Sequence, residues 1–269
     1  MKISCIINCD TRSGFEQQET AFTKMNEGCR SVDFLTDGVK NKKIFLDGFD
    51  IEVIVFVDEH NNVPPDVLAT LREVADVVVL RKHTKYYHGG IFDKFNDINY
   101  LHAFMMARGD YIFHFDADCA AFTSGPQHIQ WLISLLDNYK FVSYPSAWSP
   151  HAVNDPQFDH MWASTRFFAC HHSTLDFTEI EKCLVNPDYM WSKYGDKRRR
   201  LSWMEHVLGI TCGSNVFYPP IEIEKYMIFC WDTYRVGVLG HLNVLPYEAI
   251  LNFVKLAGGI HYPADVKGT

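Results

Sequence analysis

The chain has no long hydrophobic run. Although 47% of its 269 residues are hydrophobic, no segment reaches the roughly 20 apolar residues that span a bilayer. The opening stretch, Met1 to Asp10, is too short for a signal peptide and carries no cleavage pattern, so the sequence predicts a soluble, cytoplasmic protein without a transmembrane segment. An excess of positive charge is missing too. With 25 Lys and Arg against 33 Asp and Glu, the formal net charge is −8, a field that does not favour nucleic-acid phosphates or anionic lipid; nucleic acid is not an expected partner, and any phosphate must be gripped locally. There is no low-complexity tract and no linker that demands two domains, so one ordered domain over residues 1–269 is expected. None of the eight cysteines stands in a Cys-x-x-Cys pair. Dispersed in apolar surroundings, they read as buried free thiols rather than zinc ligands or disulfides.

What the chain does have is a strand that ends in two acids. Tyr111 to Phe115 is aromatic or β-branched except for His114 and follows a Gly-Asp breaker, which predicts a short buried strand. If the extended backbone continues, a side-chain period of two puts Asp116 and Asp118 on one face at the strand's C-terminal end, where open α/β sheets bind ligands. Paired carboxylates around a small Ala117 suit a hard divalent cation carrying substrate phosphates. Ordinary turn acids after a strand are the alternative.

Other segments alternate in the same way. Ile3 to Asn8 predicts a first strand closed by the polar turn Asn8 to Gly14, and Ile51 to Val57 a second that stops at Asp58. Helices are expected over Pro65 to Ala75, Phe92 to Arg108 and Pro126 to Leu136, with strands at Val77 to Leu80 and Phe141 to Tyr144. This order implies a mainly parallel sheet. Further on, Arg166 to His172 reads as a strand, Ser173 to Glu181 as a capped helix start, Tyr189 to Arg200 as a polar loop, Thr211 to Tyr218 as a strand and Tyr247 to Leu256 as a last helix. Lys197 to Arg200 is either a solvated cationic run or a contact for an anion. Trp148, Trp162, Trp191 and Trp203 suit stacking on sugar faces, although Trp is more commonly core.

The run Phe104-Met-Met-Ala-Arg-Gly-Asp-Tyr-Ile-Phe-His-Phe-Asp-Ala-Asp118 resembles the helix, Ala-x-Gly-x-Tyr-Ile turn, strand and Asp-x-Asp of nucleotide-sugar glycosyltransferases with the GT-A fold. It is most similar to the large inverting family 2, typified by bacterial polysaccharide synthases. The resemblance is best over residues 1–120 and thinner to about residue 210. It implies a three-layer α/β/α, Rossmann-like sandwich with a nucleotide-sugar-binding half (1–120) and an acceptor-binding half (121–269). It further implies a metal-dependent, hexosyltransferase-type enzyme that takes a UDP-, GDP- or dTDP-sugar with Mn²⁺ or Mg²⁺ and transfers the sugar, with inversion, to a glycan, lipid-linked or small-molecule hydroxyl.

Residue by residue, the resemblance puts Thr11, Arg12 and Asp58 near the nucleotide base, and Lys94 and Asn99 near the nucleotide. Asp116 and Asp118 would hold the metal, with His241 completing the shell and His261 a weaker rival. Glu205 would be the catalytic base. Here the chain departs from the family, having Glu205-His206 where a Glu-Asp pair is usual, and Glu205 also fits a capping box with Ser202. Two rivals stand beside this reading. A sugar-phosphate nucleotidyltransferase shares the sheet but needs a Gly-rich loop after the first strand, and Asn8 to Gly14 holds a single glycine. A non-catalytic nucleotide-sugar or glycan-binding module would keep the fold without the chemistry.

Overall fold

β1 (Lys2–Cys9) is apolar along nearly its whole length because it runs through the middle of a sheet covered on both faces. The structure, a computed structural model, describes residues 1–9, 32–59, 65–82, 95–116, 119–121, 126–143, 167–194, 204–212, 215–217 and 228–230. After β1 come α1 (Val32–Phe45), β2 (Asp50–Glu59), α2 (Pro65–Val74), β3 (Val77–Lys82), α3 (Phe95–Met106), β4 (Tyr111–Asp116), β5 (Cys119–Ala121), α4 (Pro126–Leu135) and β6 (Phe141–Ser143). β7 (Phe167–His171), a 3₁₀ turn (His172–Thr174), α5 (Phe177–Val185), α6 (Pro187–Tyr194), α7 (Met204–Cys212), β8 (Val216–Phe217) and β9 (Ile228–Cys230) follow. The main sheet has seven strands in the order β3-β2-β1-β4-β7-β6-β8, and a separate two-stranded sheet pairs β5 with β9.

Alternation along the strands sorts the side chains into two cores. Ile3, Cys5, Ile7 and Cys9 of β1, with Val53, Val55 and Val57 of β2 and Phe113 and Phe115 of β4, pack against Val39 and Phe45 of α1, Leu71 of α2 and Ile129 and Leu132 of α4. Ile6, Ile54, Phe56 and Ile112 face the other way, against Leu101 and Phe104 of α3, Ile180 of α5, Met190 of α6 and Val207 and Leu208 of α7. The result is the three-layer α/β/α arrangement expected of the sequence. Among the described residues no helix is long and apolar enough to cross a membrane.

At the amino edge of the sheet the turn before β4 is tied to β1 and β2. Glu52, buried at 8% exposure, accepts from Ser4 Oγ at 2.5 Å and from the Arg108 amide at 2.5 Å, and the Lys2 ammonium lies 3.4 Å away. Burial works against the charged form, but these donors together outweigh it and hold the carboxyl below its ordinary value. Gly109 completes the tie, its amide donating to Ser4 Oγ at 2.7 Å. A Cβ at Gly109 would stand 2.5 Å from the Ser4 nitrogen, so the close approach requires glycine.

β4 covers Tyr111–Asp116, and Asp118 lies outside the described residues. Three expectations are corrected. Pro187–Tyr194 is helical where a loop was expected to begin at Tyr189: Asn186 Oδ1 accepts the Tyr189 amide at 3.0 Å, and Pro187 takes the first helical position, where its missing N–H costs nothing. Thr211 lies inside α7, with its hydroxyl donating to the Val207 carbonyl at 2.8 Å, so the strand does not begin there; among the described residues it covers Val216–Phe217. The cap of α5 is Asp176, which accepts the Glu179 amide at 3.0 Å, and Ser173 stands within the preceding 3₁₀ turn.

β7 runs antiparallel to both β4 and β6, so one reversed strand interrupts the otherwise parallel sheet. Of the cysteines, Cys5, Cys9, Cys170 and Cys183 are buried free thiols. Burial pushes Cys5 up to about 12 despite the pull of Lys42 and Lys43, which makes it unreactive.

Candidate active site at the carboxyl edge of the sheet

β3, β2, β1 and β4 are parallel neighbours and end at the same edge. The register aligns Asn8 with Asp116 on one side and with Phe56 on the other, two residues short of Asp58. Positions 8, 58 and 116 therefore share the strand phase of Ile6, Phe56 and His114, which is the phase of the α3 layer. Asp58 and Glu59 are in register with Arg81 and Lys82 of β3. One rim thus collects acidic positions from two strands, basic positions from a third and an amide from the fourth. Carboxyl ends of parallel strands are where open α/β sheets take their ligands.

The rim is braced from both layers. Asn8 Nδ2 donates to the Tyr100 hydroxyl at 2.9 Å, linking β1 to α3. The Tyr100 ring meets Phe56 at 4.6 Å and His114 at 5.0 Å. His114, fully buried, also packs against Phe104 and Phe168. These aromatic contacts fix the strand immediately before Asp116. In the opposite layer the ammonium of Lys42, also fully buried, sits 5.9 Å from the Phe115 ring centroid. A cation against an aromatic face is favourable where water is excluded, and it places positive charge one residue from the acidic rim.

Of the site residues expected from the sequence, Asp58 and Asp116 end adjacent-but-one strands, β2 and β4, of the same edge. Glu205 is in the first turn of α7, whose Met204, Val207 and Leu208 pack in the α3 layer. Asn99 lies within α3. Thr11, Arg12, Lys94, Asp118, His241 and His261 fall outside the described residues. Asn8 and its hydroxyl partner Tyr100 were not singled out by the sequence; the available signal was a polar amide closing an otherwise apolar first strand.

Between Asp116 and Cys119 the chain leaves the main sheet and joins the β5–β9 sheet. Asp116, the first acid of the Asp-x-Asp, is the last residue of β4 and pairs with Asn8, and Asp118 lies outside the described residues. The motif's oxygen donors match a hard divalent cation, Mn²⁺ or Mg²⁺, and the neighbouring Asn8 is also an oxygen-bearing side chain. Among the described residues no group of three His, Cys, Asp or Glu is gathered as a metal cage.

No protein-family model and no curated protein matches this sequence. Solved structures do. The galactosyltransferase LgtC, determined with donor and acceptor sugar analogues, superposes with a TM-score of 0.53 at 10% identity, covering 98% of this chain and 99% of that one. The chain has the GT-A fold. Weaker likenesses include glucosyl-3-phosphoglycerate synthase from Mycobacterium tuberculosis with Mn²⁺ and UDP-glucose, at TM-score 0.41, 13% identity and 65% and 57% coverage of the two chains. Another is 4-diphosphocytidyl-2C-methyl-D-erythritol synthase from Anaerococcus prevotii, at TM-score 0.43, 11% identity and 94% coverage of each.

Proposed function

We propose that the protein is a glycosyltransferase that moves a sugar from a nucleoside diphosphate to an acceptor hydroxyl with the help of Mn²⁺ or Mg²⁺. The observation that supports this reading is that β4 of a GT-A fold ends at Asp116, the first acid of the Asp-x-Asp, at the carboxyl edge of the sheet. Residues 1–269 are taken as one domain: the main sheet draws β1 to β4 from its first half and β6 to β8 from its second.

Asp118, with Asp116, would hold the cation on the diphosphate, and His241 is the candidate for a third ligand. A bound divalent cation supplies neutralisation of the charge that grows on the departing nucleoside diphosphate. Thr11, Arg12 and Asp58 would orient the base, and Lys94 would contact the nucleotide. Glu205 would accept the proton of the attacking hydroxyl, giving inversion in one displacement. Its place on a helix of the α3 layer, in the strand phase of Asp116, supports that role.

A non-catalytic binding module is the second reading, favoured by His206 in place of the acid that usually follows Glu205. Thermal stabilisation by UDP, GDP, dTDP and CDP, with and without Mn²⁺, tests the site on wild type and Asp118→Ala. A ligand that binds only the native state raises its stability. Stabilisation by one nucleotide that needs both Mn²⁺ and Asp118 supports the donor site, and metal-dependent release of free sugar from the matching donor separates enzyme from module. A folded protein that responds to no nucleotide refutes the donor site in either reading.

A further inference from the structure

The opposite, amino edge of the sheet carries a recess of its own. It is an open depression of about 560 Å³, lined by Arg108, Gly109 and Asp110 from the turn before β4, and by His171, His172, Ser173, Leu175 and Phe177 at the end of β7 and beyond. Because β7 is reversed, its last residue, His171, pairs with the first residue of β4, Tyr111, which brings the two segments together. The recess is separated from the acidic rim by the length of β4, about 20 Å.

Its walls are polar on one side and apolar on the other. Arg108 is exposed, and among the described residues its guanidinium has no ion-pair or hydrogen-bond partner; only its backbone amide is engaged, on Glu52. The Nε2 atom of His172 is buried and, among the described residues, has no hydrogen-bond partner. His171 packs on Tyr111 at 4.6 Å and His172 on Phe177 at 5.5 Å, so both imidazoles are held by ring contacts. Ser173 adds an exposed hydroxyl, and Leu175 and Phe177 supply the apolar floor. Asp110 is the carboxylate on this wall, and its Oδ2 is already engaged by the Lys2 amide at 3.0 Å. Its carbonyl accepts the His172 amide at 2.9 Å, which fixes the two sides of the recess to each other.

We propose that this recess binds the phosphate of a small, sugar-sized phosphate monoester. An exposed guanidinium fork and an exposed hydroxyl are donors a phosphate takes. The recess is open to solvent and larger than a bare phosphate, which leaves room for an attached ring lying on Leu175 and Phe177. The buried Glu52 gives the recess its stiffness: by clamping the Arg108 and Gly109 amides through itself and Ser4, it holds the turn in place before any ligand arrives. The site is independent of the donor reading, since it uses none of the same residues.

The test is a titration of the full chain with glucose 6-phosphate and, in parallel, unphosphorylated glucose. It is carried out in EDTA so that no metal-borne phosphate site contributes, and followed by the ring resonances of His172 and Phe177. The sugar phosphate is expected to shift both saturably, glucose to shift neither, and Arg108→Gln to weaken the response about tenfold or more. Arg108→Gln retains the backbone amide on Glu52, so its fold should be unchanged, and Ser173→Ala provides a second exposed variant with a smaller loss. An absent response to the sugar phosphate, an equal response to glucose, or an affinity unaltered in Arg108→Gln would each overturn the proposal.

Discussion

Replacing Gly109 by alanine tests the tie at the amino edge of the sheet most directly. The added methyl would sit 2.5 Å from the Ser4 nitrogen, 2.7 Å from its Oγ and 2.9 Å from the Ile3 carbonyl carbon. Ordinary contacts of this kind are about 3.5–4.0 Å, so a gap of about 1 Å has to open between the turn and β1. β1 is held by β2 and β4 on its two sides and by both cores, so the turn must be what moves. Moving it strains or breaks the Gly109 amide bond to Ser4 at 2.7 Å and the Arg108 amide bond to Glu52 at 2.5 Å. Overpacking costs about 1–3 kcal/mol. A lost hydrogen bond to a charged group costs about 1.5–3 kcal/mol and a neutral one about 0.5–1.5 kcal/mol. Allowing for overlap, Gly109→Ala should destabilise by about 3–5 kcal/mol, a large share of the 5–15 kcal/mol typical of a domain. Urea unfolding should show a lower midpoint at unchanged slope. A loss below about 1 kcal/mol would refute the reasoning, because the turn would then be free to shift without breaking its bonds.

Glu52→Gln should cost about 1–3 kcal/mol at neutral pH. Because the folded carboxyl is held below its ordinary value of 4.5, the wild-type contribution is complete above that value and is lost as pH falls through the lower folded one. Stability-pH curves of the two proteins should converge in acid, and parallel curves would contradict the assignment. Burial, aided by Glu179, pushes the Tyr194 phenol up to about 12. That contribution to stability is present below the ordinary value of 10.0 and lost as pH rises toward 12; ultraviolet titration of Glu179→Gln should find the phenol part of the way back. Cys119 and Cys230 are direct cross-strand partners in the β5–β9 ladder, a separation within the range a disulfide spans. Oxidised glutathione should therefore couple them, each protein disulfide releasing two glutathione thiols, and peptide mass mapping that finds no such link would argue against the register.

The central strands were legible because their physics is local. β1, β2 and β4 are buried runs of Ile, Val and Phe closed by polar residues, and each begins and ends within two residues of expectation. The reversal of β7 was not legible: Phe167, Phe168, Ala169 and Cys170 are buried on both faces, and a doubly buried run reads the same in either direction. α6 was missed although Asn186-Pro187 is a helix-start signal, because its aromatic and charged residues have no apolar stripe of their own. Glu179 gathers them instead, accepting from Tyr189 at 3.0 Å, Lys193 at 2.8 Å and Tyr194 at 2.9 Å. Thr211 shows tertiary context overriding β propensity, since its hydroxyl is satisfied within the helix. At the candidate site, the ends of β2 and β4 followed from strand-plus-acid patterns, whereas the amide-hydroxyl link between Asn8 and Tyr100 depends on a long-range contact that no local pattern carries.

The reversal of β7 has a consequence for how this scaffold can change. β6 leaves the sheet at the carboxyl edge and β7 enters it at the same edge, and the junction is closed by Ser143 Oγ donating to the Phe167 carbonyl at 3.0 Å. Residues 144–166 therefore begin and end at one place, beside the acidic rim. A segment anchored in this way can be lengthened, shortened or exchanged as a cartridge without shifting the register of any strand, because loop closure depends only weakly on length. Sequence variation among proteins built on this frame can then accumulate there while the sheet that presents Asp116 stays untouched.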